Sequence, residues 1–255
     1  DHTSTAIYVS FPVIGEDNEY VVIWTTTPWT MPANRAVAYH PEVNYVPVTI
    51  NEHGDHAPYI NEHYVGKIYW LAEDLVEDFA GTLNLKDYSV GTAQKGTAFK
   101  GMVVHHPFHT RKTPLFPADF VTTENGTGFV HIAPAHGADD FELGKAHGLD
   151  LNCPVSGEGF YEPFVDDDAP KEGLKLAGKD IWDAQEEILA HMRQCGVLLK
   201  SYKYKHSYPV SWRSKAPLIF RTTPQWFLEL DKSGIREKAL REIDNIESRN
   251  GWIPG

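Results

Sequence analysis

Cysteine is nearly absent: Cys153 and Cys195 are the only two in 255 residues. They are too few and too unpatterned for a secreted disulfide frame, so they read as free thiols, and with no signal-peptide pattern the cytosol is the expected compartment. No apolar run approaches the roughly 18 residues of a membrane-spanning helix. The sequence has no Gly-x-Ser-x-Gly elbow, His-Glu-x-x-His zinc helix, Gly-x-x-x-x-Gly-Lys-Ser/Thr phosphate loop or Cys-x-x-Cys pair, which removes the commonest hydrolase, metalloprotease, nucleotidase and redox readings. Positive charge is also short, 23 Lys and Arg against 35 Asp and Glu for a net charge of -12. That argues against a protein that coats DNA or RNA by neutralising phosphates. Hydrophobic residues at 42% and charged residues at 23% are ordinary for a globular chain, so disorder and collagen-like repeats are poor readings. The length suits one large domain, or one domain with an appendage.

The charge is unevenly placed. From Lys200 to Gly255 there are 11 Lys and Arg against 6 Asp and Glu, so an acidic body carries a basic C-terminal segment. The composition turns toward Lys, Arg and aromatics from Tyr202, through His206-Ser207-Tyr208-Pro209 to Pro224-Gln225-Trp226-Phe227, and a soft boundary is expected near Lys205. Because the chain starts at Asp1 and stops at Trp252-Ile253-Pro254-Gly255, it reads as a piece of something longer.

Most of the first 135 residues are short β-branched and aromatic runs punctuated by Gly, Pro, Asn and Asp, the pattern of strands. Strands are expected at 6–12, 20–26, 36–38, 45–50, 67–70, 103–104 and 128–132, with a turn at Glu124-Asn125-Gly126-Thr127-Gly128 whose glycines tolerate positive φ. Amphipathic spacing predicts helices over 71–80, 139–147, 180–195 and 233–246, the third opened by Asp180 as N-cap. Asp166-Asp167-Asp168 reads as a solvated loop. His105, His106 and His109 tempt a metal reading, but strand alternation sends neighbouring imidazoles to opposite faces, so they do not converge without further ligands.

Two segments carry chemistry. Trp24-Thr25-Thr26-Thr27-Pro28-Trp29-Thr30-Met31-Pro32-Ala33-Asn34-Arg35 runs from a strand into a Pro-broken loop with four hydroxyls, an amide and two indoles. Its plain reading is strand-forming threonine; its sharper one is a hydroxyl rim beside an aromatic wall, suited to a ribose, a base and a positioned water. Gly126-Thr127-Gly128-Phe129-Val130-His131-Ile132-Ala133-Pro134-Ala135-His136-Gly137-Ala138-Asp139-Asp140 is a strand, a loop of small residues and an acid pair. It reads either as a strand exit with a helix N-cap at Asp139, or as a carboxylate and an imidazole at a pocket mouth.

Together these segments resemble the editing domain of isoleucyl-tRNA synthetase of the bacterial type, the connective-peptide insertion of that enzyme, and the resemblance covers nearly the whole chain. His206-Ser207-Tyr208-Pro209 and Thr223-Pro224-Gln225-Trp226-Phe227 fit its return segment. The resemblance implies a mainly β fold with peripheral helices, built as the closed β-barrel of the valyl, isoleucyl and leucyl editing domains. It implies an editing domain at 1–205 and, at 206–255, a return segment leading to a synthetic core. Neither the HIGH nor the KMSKS signature of a synthetic site occurs, so no activation of isoleucine is expected.

The implied activity is post-transfer editing: hydrolysis of the ester of Val-tRNA(Ile), with isoleucine excluded by size. One CH₂ is worth only about 0.8 kcal/mol of transfer free energy, so a synthetic site cannot reject the smaller valine by binding alone. By the same resemblance Asp140 grips the substrate ammonium, and His131 walls the side-chain pocket. Thr25, Thr26 and Thr27 hold the terminal adenosine and orient water, Thr27 foremost, while Trp24 and Asn34 complete the pocket. No metal or cofactor is implied. The implied partners are the 3′ end of misacylated tRNA(Ile), with valyl-adenylate a further candidate, and the rest of the synthetase in cis, in a monomer away from membranes. The rival reading is a non-hydrolytic module that binds the acceptor end or braces a larger enzyme.

Overall fold

From Ala6 to Val13 nearly every residue is apolar, which suits a strand covered on both faces better than one with a wet side. The computed structural model, which describes residues 2–54, 64–248 and 251, shows this arrangement. Strand β1 (His2–Pro12) pairs antiparallel with β2 (Glu19–Thr25). Ile7, Val9, Phe11, Val21 and Ile23 enter one core, and Tyr8 and Val22 enter a second on the other face. Complete burial of each such side chain contributes about 1.5–3 kcal/mol.

The remaining strands are β3 (Ala36–Tyr39), β4 (Asn44–His53), β5 (Ile68–Ala72), β6 (Leu85–Val90), β7 (Gln94–Lys95), β8 (Val103–His105), β9 (Lys112–Pro117), β10 (Phe129–Ile132) and β11 (Leu198–His206). One sheet has the order β11-β1-β2-β5-β4-β6, with β7 also on β4, and the other has the order β10-β3-β9-β8. The expected closed barrel is not formed. Among the described residues no ladder joins β11 to β6, and the large sheet is open. It has no need to close, because its faces are already covered. Helix α1 (Val76–Leu83) packs Val76, Phe79 and Leu83 on one core, and helix α3 (Ile181–Gln194) packs Ile181, Ala184, Ile188 and Met192 on the other. The free edges carry exposed Lys86 and Asp87 on β6 and Lys203 and Lys205 on β11, charges that discourage edge pairing.

Asp180 caps α3 as expected, accepting from the Trp182 and Asp183 N–H groups at 2.8 and 3.3 Å. Helix α1 starts later than expected because Leu71 and Ala72 still belong to β5 and Glu73–Leu75 form a 3₁₀ turn. Helix α2 (Ala138–Ala146) is capped by Gly137, so Asp139 lies in its first turn and is not the N-cap. The chain divides into two compact units, residues 1–222 and 223–255. Past β11, the first unit holds residues up to Thr222, whose N–H donates to the Ala135 carbonyl at 2.9 Å. The second unit contains α4 (Ile235–Ser248), which has no buried residue. The C-terminal residues Trp252–Gly255 lie outside the described residues.

Between β2 and β3 the chain makes a 3₁₀ turn, Pro28–Ala33, that is wholly buried. Buried carbonyls need donors, and distant parts of the chain supply them. The Tyr161 hydroxyl donates to Trp29 O at 2.5 Å, His106 Nε2 to Met31 O at 2.9 Å, and Arg111 to Pro32 O and Asn34 O at 3.0 and 2.8 Å. Arg111 is aimed by Asp168, which also accepts from His109 Nδ1 at 2.7 Å. The His-His-Pro-Phe-His segment and Asp168 therefore hold this turn. Among the described residues no three His, Cys, Asp or Glu side chains are grouped to hold a metal. The acid triplet is likewise more than a solvated loop, since Asp166 accepts from the Leu176 and Ala177 N–H groups. His131 on β10 completes the support from below, with Nδ1 2.8 Å from Asn34 Nδ2 and Nε2 3.0 Å from Thr30 Oγ1.

Two consequences can be measured. Gly128 has φ +76°, and a Cβ there would stand 2.5 Å from Ala72 Cβ and 3.2 Å from the Tyr45 ring. Gly128→Ala should therefore lower stability by about 2–4 kcal/mol, combining left-handed strain with overpacking; an unchanged denaturant midpoint would contradict this close approach. The second concerns pH. Burial pushes His106 well below its ordinary value, His131 to about 3 and His136 to about 4. The unfolded chain takes up protons at all three near pH about 6.5 and the folded chain does not, so stability falls as the pH drops from about 6.5 toward 4. Asp140 opposes this, because burial raises its carboxyl to about 6 and its protonation favours the folded state as the pH falls through that value. Three imidazoles outweigh one carboxylate. Urea denaturation should give a higher midpoint at pH 7 than at pH 5, and equal midpoints would contradict the neutral burial of the histidines.

Candidate active site

Strand β2 is antiparallel to β1, and its end delivers Trp24, Thr25 and Thr26 to the lip of a cleft of about 400 Å³. The facing wall is the loop 124–128 with the first two residues of β10, Phe129 and Val130, and the first turn of α2 supplies Asp139 and Asp140. The loop reaches the cleft because its two glycines take positive φ, +87° at Gly126 and +76° at Gly128, and because it is clamped at both ends. Thr127 O accepts from the Ala72 N–H at 2.7 Å, and Gly128 O accepts from the Tyr45 hydroxyl at 2.6 Å. Close approach of backbone to backbone brings the loop under Trp24, whose Cβ would lie 3.2 Å from a Cβ at Gly126.

Of the residues singled out from the sequence, the cleft gathers Trp24, Thr25, Thr26 and Asp140. Thr27 faces a second cavity of about 190 Å³, lined also by Thr26, Trp29, Trp182, Lys203 and Tyr208, so Thr26 lies where the two cavities meet. Asn34 and His131 line neither cavity and are buried behind the threonine segment. The Thr25 hydroxyl accepts from the Thr27 N–H at 3.1 Å, which fixes the turn and leaves the hydroxyl proton available to a ligand.

Asp140 is the site's main electrostatic feature. Burial raises its carboxyl to about 6, the neighbouring Asp139 charge adds to this, and the hydrogen bond that Oδ2 accepts from the Ala133 N–H at 2.9 Å opposes it. Among the described residues no Lys or Arg forms an ion pair with it. A half-buried carboxylate at a helix N-terminus and without a cation is suited to receive one from a ligand.

His131 has a different function. The Asn34 amide is oriented by donating to the Ala36 carbonyl at 2.8 Å and accepting from the Thr113 hydroxyl at 3.2 Å, so Nδ2 must donate to His131 Nδ1. That leaves the proton on Nε2, which donates to Thr30 Oγ1, and Thr30 donates onward to Thr27 O at 2.8 Å. With both ring nitrogens engaged and its pKa lowered to about 3, the imidazole has no free basic site for a water. Its role is to position Thr30 and Thr27.

Sequence reading missed Phe120, Thr122, Glu124 and Asn125 as cleft lining, and it placed 126–130 in a chemistry-bearing segment without showing that this stretch forms a wall. The turn signal at Gly126-Thr127-Gly128 could not show which strands the turn would meet. Nor did it single out Tyr202, whose hydroxyl accepts from Trp24 Nε1 at 3.0 Å.

The family described as leucyl-tRNA synthetase, editing domain, matches residues 3–166. Over the full chain the sequence is 42% identical to isoleucine–tRNA ligase of Petrotoga mobilis, and over 99% of it 38% identical to that of Desulfotalea psychrophila. The chain spans about a quarter of the length of these relatives. Among solved structures it is similar to the crystal structure of GlLeuRS-CP1, with a TM-score of 0.53 and 13% identity over 80% of this chain and all of that one. It is also similar to the P. knowlesi cytosolic leucyl-tRNA synthetase editing domain, with a TM-score of 0.56 and 11% identity over 80% of this chain and 97% of that one. At these identities the structures attest the fold, and with the sequence match they lead to one conclusion: this chain belongs to the synthetase editing-domain family.

Proposed function

We propose that this chain is the editing insertion of an isoleucine–tRNA ligase, and that it hydrolyses the ester of Val-tRNA(Ile) while rejecting the isoleucyl ester by size. The observation that carries the reading is the unpaired, half-buried Asp140 facing the Thr25 and Thr26 hydroxyls across a cleft, in a chain similar along its length to isoleucine–tRNA ligases. The α-ammonium of an aminoacyl ester is the cation that Asp140 lacks, and the charge-assisted pair would both anchor and orient the ester.

Little further chemistry is needed. An aminoacyl ester is already activated, so holding its carbonyl and a water in attack geometry, with hydroxyl donors near the developing oxyanion, supplies most of the acceleration without a covalent nucleophile. Thr25 and Thr26 hold the terminal adenosine and the ester. Thr27 presents water from the second cavity, where Thr26 joins the two. The buried turn Pro28–Ala33, which His131 holds through Thr30, fixes the threonine segment at the cleft lip and so the room left beside it, and His131 thereby acts on size selection as a positioning residue. Residues 1–205 form the editing body, and 206–255 the return segment, whose stretch to Thr222 packs on that body.

The direct test is deacylation of Val-tRNA(Ile) and Ile-tRNA(Ile) by the intact protein. The valyl ester should be cleaved and the isoleucyl ester spared; binding of the acceptor end without turnover would leave only a holding module. Asp140→Asn keeps an acceptor for the Ala133 N–H but removes the charge, and should lower kcat/KM for the valyl ester by roughly 10- to 100-fold, the worth of a charge-assisted hydrogen bond. An unchanged rate would refute the ammonium anchor. Because the free carboxyl titrates near 6, kcat/KM should decline as the pH falls through about 6, and this acid limb should vanish in the Asp140→Asn protein. His131→Ala, by releasing Thr30, should raise hydrolysis of the isoleucyl ester relative to the valyl ester; an unaltered ratio would remove His131 from size selection.

A further inference from the structure

Next to the cleft lies a third hollow, of about 170 Å³, that the editing chemistry does not use. Its aromatic lining is Tyr8, Trp24, Tyr202 and Tyr204, and its polar lining includes Asp78, Thr82 and Asn125. It shares Trp24, Asn125 and Gly126 with the cleft, so ligand groups one step apart along a chain can occupy both. The aromatic wall follows from register. Ala6 of β1 faces Tyr202, and Ser4 faces Tyr204. Small side chains between the two outer strands let the Trp24 indole reach over to donate to the Tyr202 hydroxyl and to meet the Tyr204 ring at 5.2 Å and 86°. Tyr202 and Tyr204 are only half-buried, although their rings are large and apolar.

We propose that this hollow is a stacking subsite for the unpaired nucleotide that precedes the terminal adenosine, and that it prefers a base with an exocyclic amine. The inference rests on the editing reading above, since that places the terminal nucleoside in the adjoining cleft. Partly exposed aromatic rings on an open sheet face are the usual platform for single-stranded bases. The hydrogen-bonding groups decide the base. Asp78 is an acceptor suited to the cytosine N4 amine, and the Asn125 amide can donate to the cytosine O2 or N3. Uracil would set its O4 against the Asp78 carboxylate, a repulsive contact. The 3′ end of tRNA is CCA, so the subsite would receive the penultimate cytidine and set the register of the ester against Asp140.

Binding of adenosine and of the RNA trinucleotides CCA and UUA to the full chain tests this. CCA should bind about tenfold more tightly than adenosine, and more tightly than UUA. Tyr204→Ala should remove that gain and leave adenosine binding unchanged, whereas Asp78→Asn, at an exposed helix position, should bring CCA and UUA to the same affinity. Equal affinities of CCA and adenosine, or a CCA gain that survives Tyr204→Ala, would overturn the proposal. So would equal gains for CCA and UUA in the unaltered protein, which would reduce the effect to phosphate charge. The two readings fail separately: hydrolysis of Val-tRNA(Ile) without a CCA gain removes the subsite, and a CCA gain without hydrolysis removes the editing function.

Discussion

The Asn34 amide is the group on which the geometry of this site depends. Its two protons go to the Ala36 carbonyl and to His131 Nδ1, and its oxygen accepts from Thr113, so the amide has a single satisfiable orientation. That orientation selects the His131 tautomer, the tautomer directs a proton at Thr30, and Thr30 in turn holds Thr27 O. In a water-free interior each partner would be costly to leave unpaired, on the order of 1–3 kcal/mol per group, so the chain of bonds behaves as one rigid strut. Its output is the position of the threonine segment at the cleft lip, although neither Asn34 nor His131 touches the cleft itself.

The rest of the fold makes that strut possible. A sheet buried on both faces excludes water from β1 and β2, and the second sheet brings β10, which carries His131, beneath the turn that follows β2. Tyr161, His106 and Arg111 then satisfy the carbonyls of a 3₁₀ turn that would otherwise be an unpaired buried loop. Asp140 stands outside this satisfied network. Among the described residues no Lys or Arg pairs with it, so burial raises its pKa and a ligand cation has a place to go.

Particular residues show how far the sequence could be read. The strands from β1 to β5, β8 and β10 were expected from apolar runs, and α3 from its spacing and its Asp180 cap. Strands β6, β7, β9 and β11 escaped notice: β9 carries Pro114 and Pro117, and β11 alternates lysine with aromatics, so both resemble connecting chain until a partner strand is known. The open sheet was missed for a related reason, since closure depends on whether the edges meet, and local pattern carries no information about that. His106 and His109 looked like scattered imidazoles because their task, holding Met31 and Asp168, spans 75 and 59 positions of chain.

What the sequence determined by itself was local and compositional: which stretches extend, where glycines permit positive φ, where hydroxyls, an imidazole and an acid pair occur, and which family the two motifs resemble. The tertiary structure decided how those residues are shared out. It put Thr25, Thr26 and Asp140 on one cleft, turned Thr27 to a second, and withdrew His131 and Asn34 into the support behind them. The physical reason is that residue type sets what a side chain can bond, whereas burial and the long-range pairing of strands set what it is left to bond with.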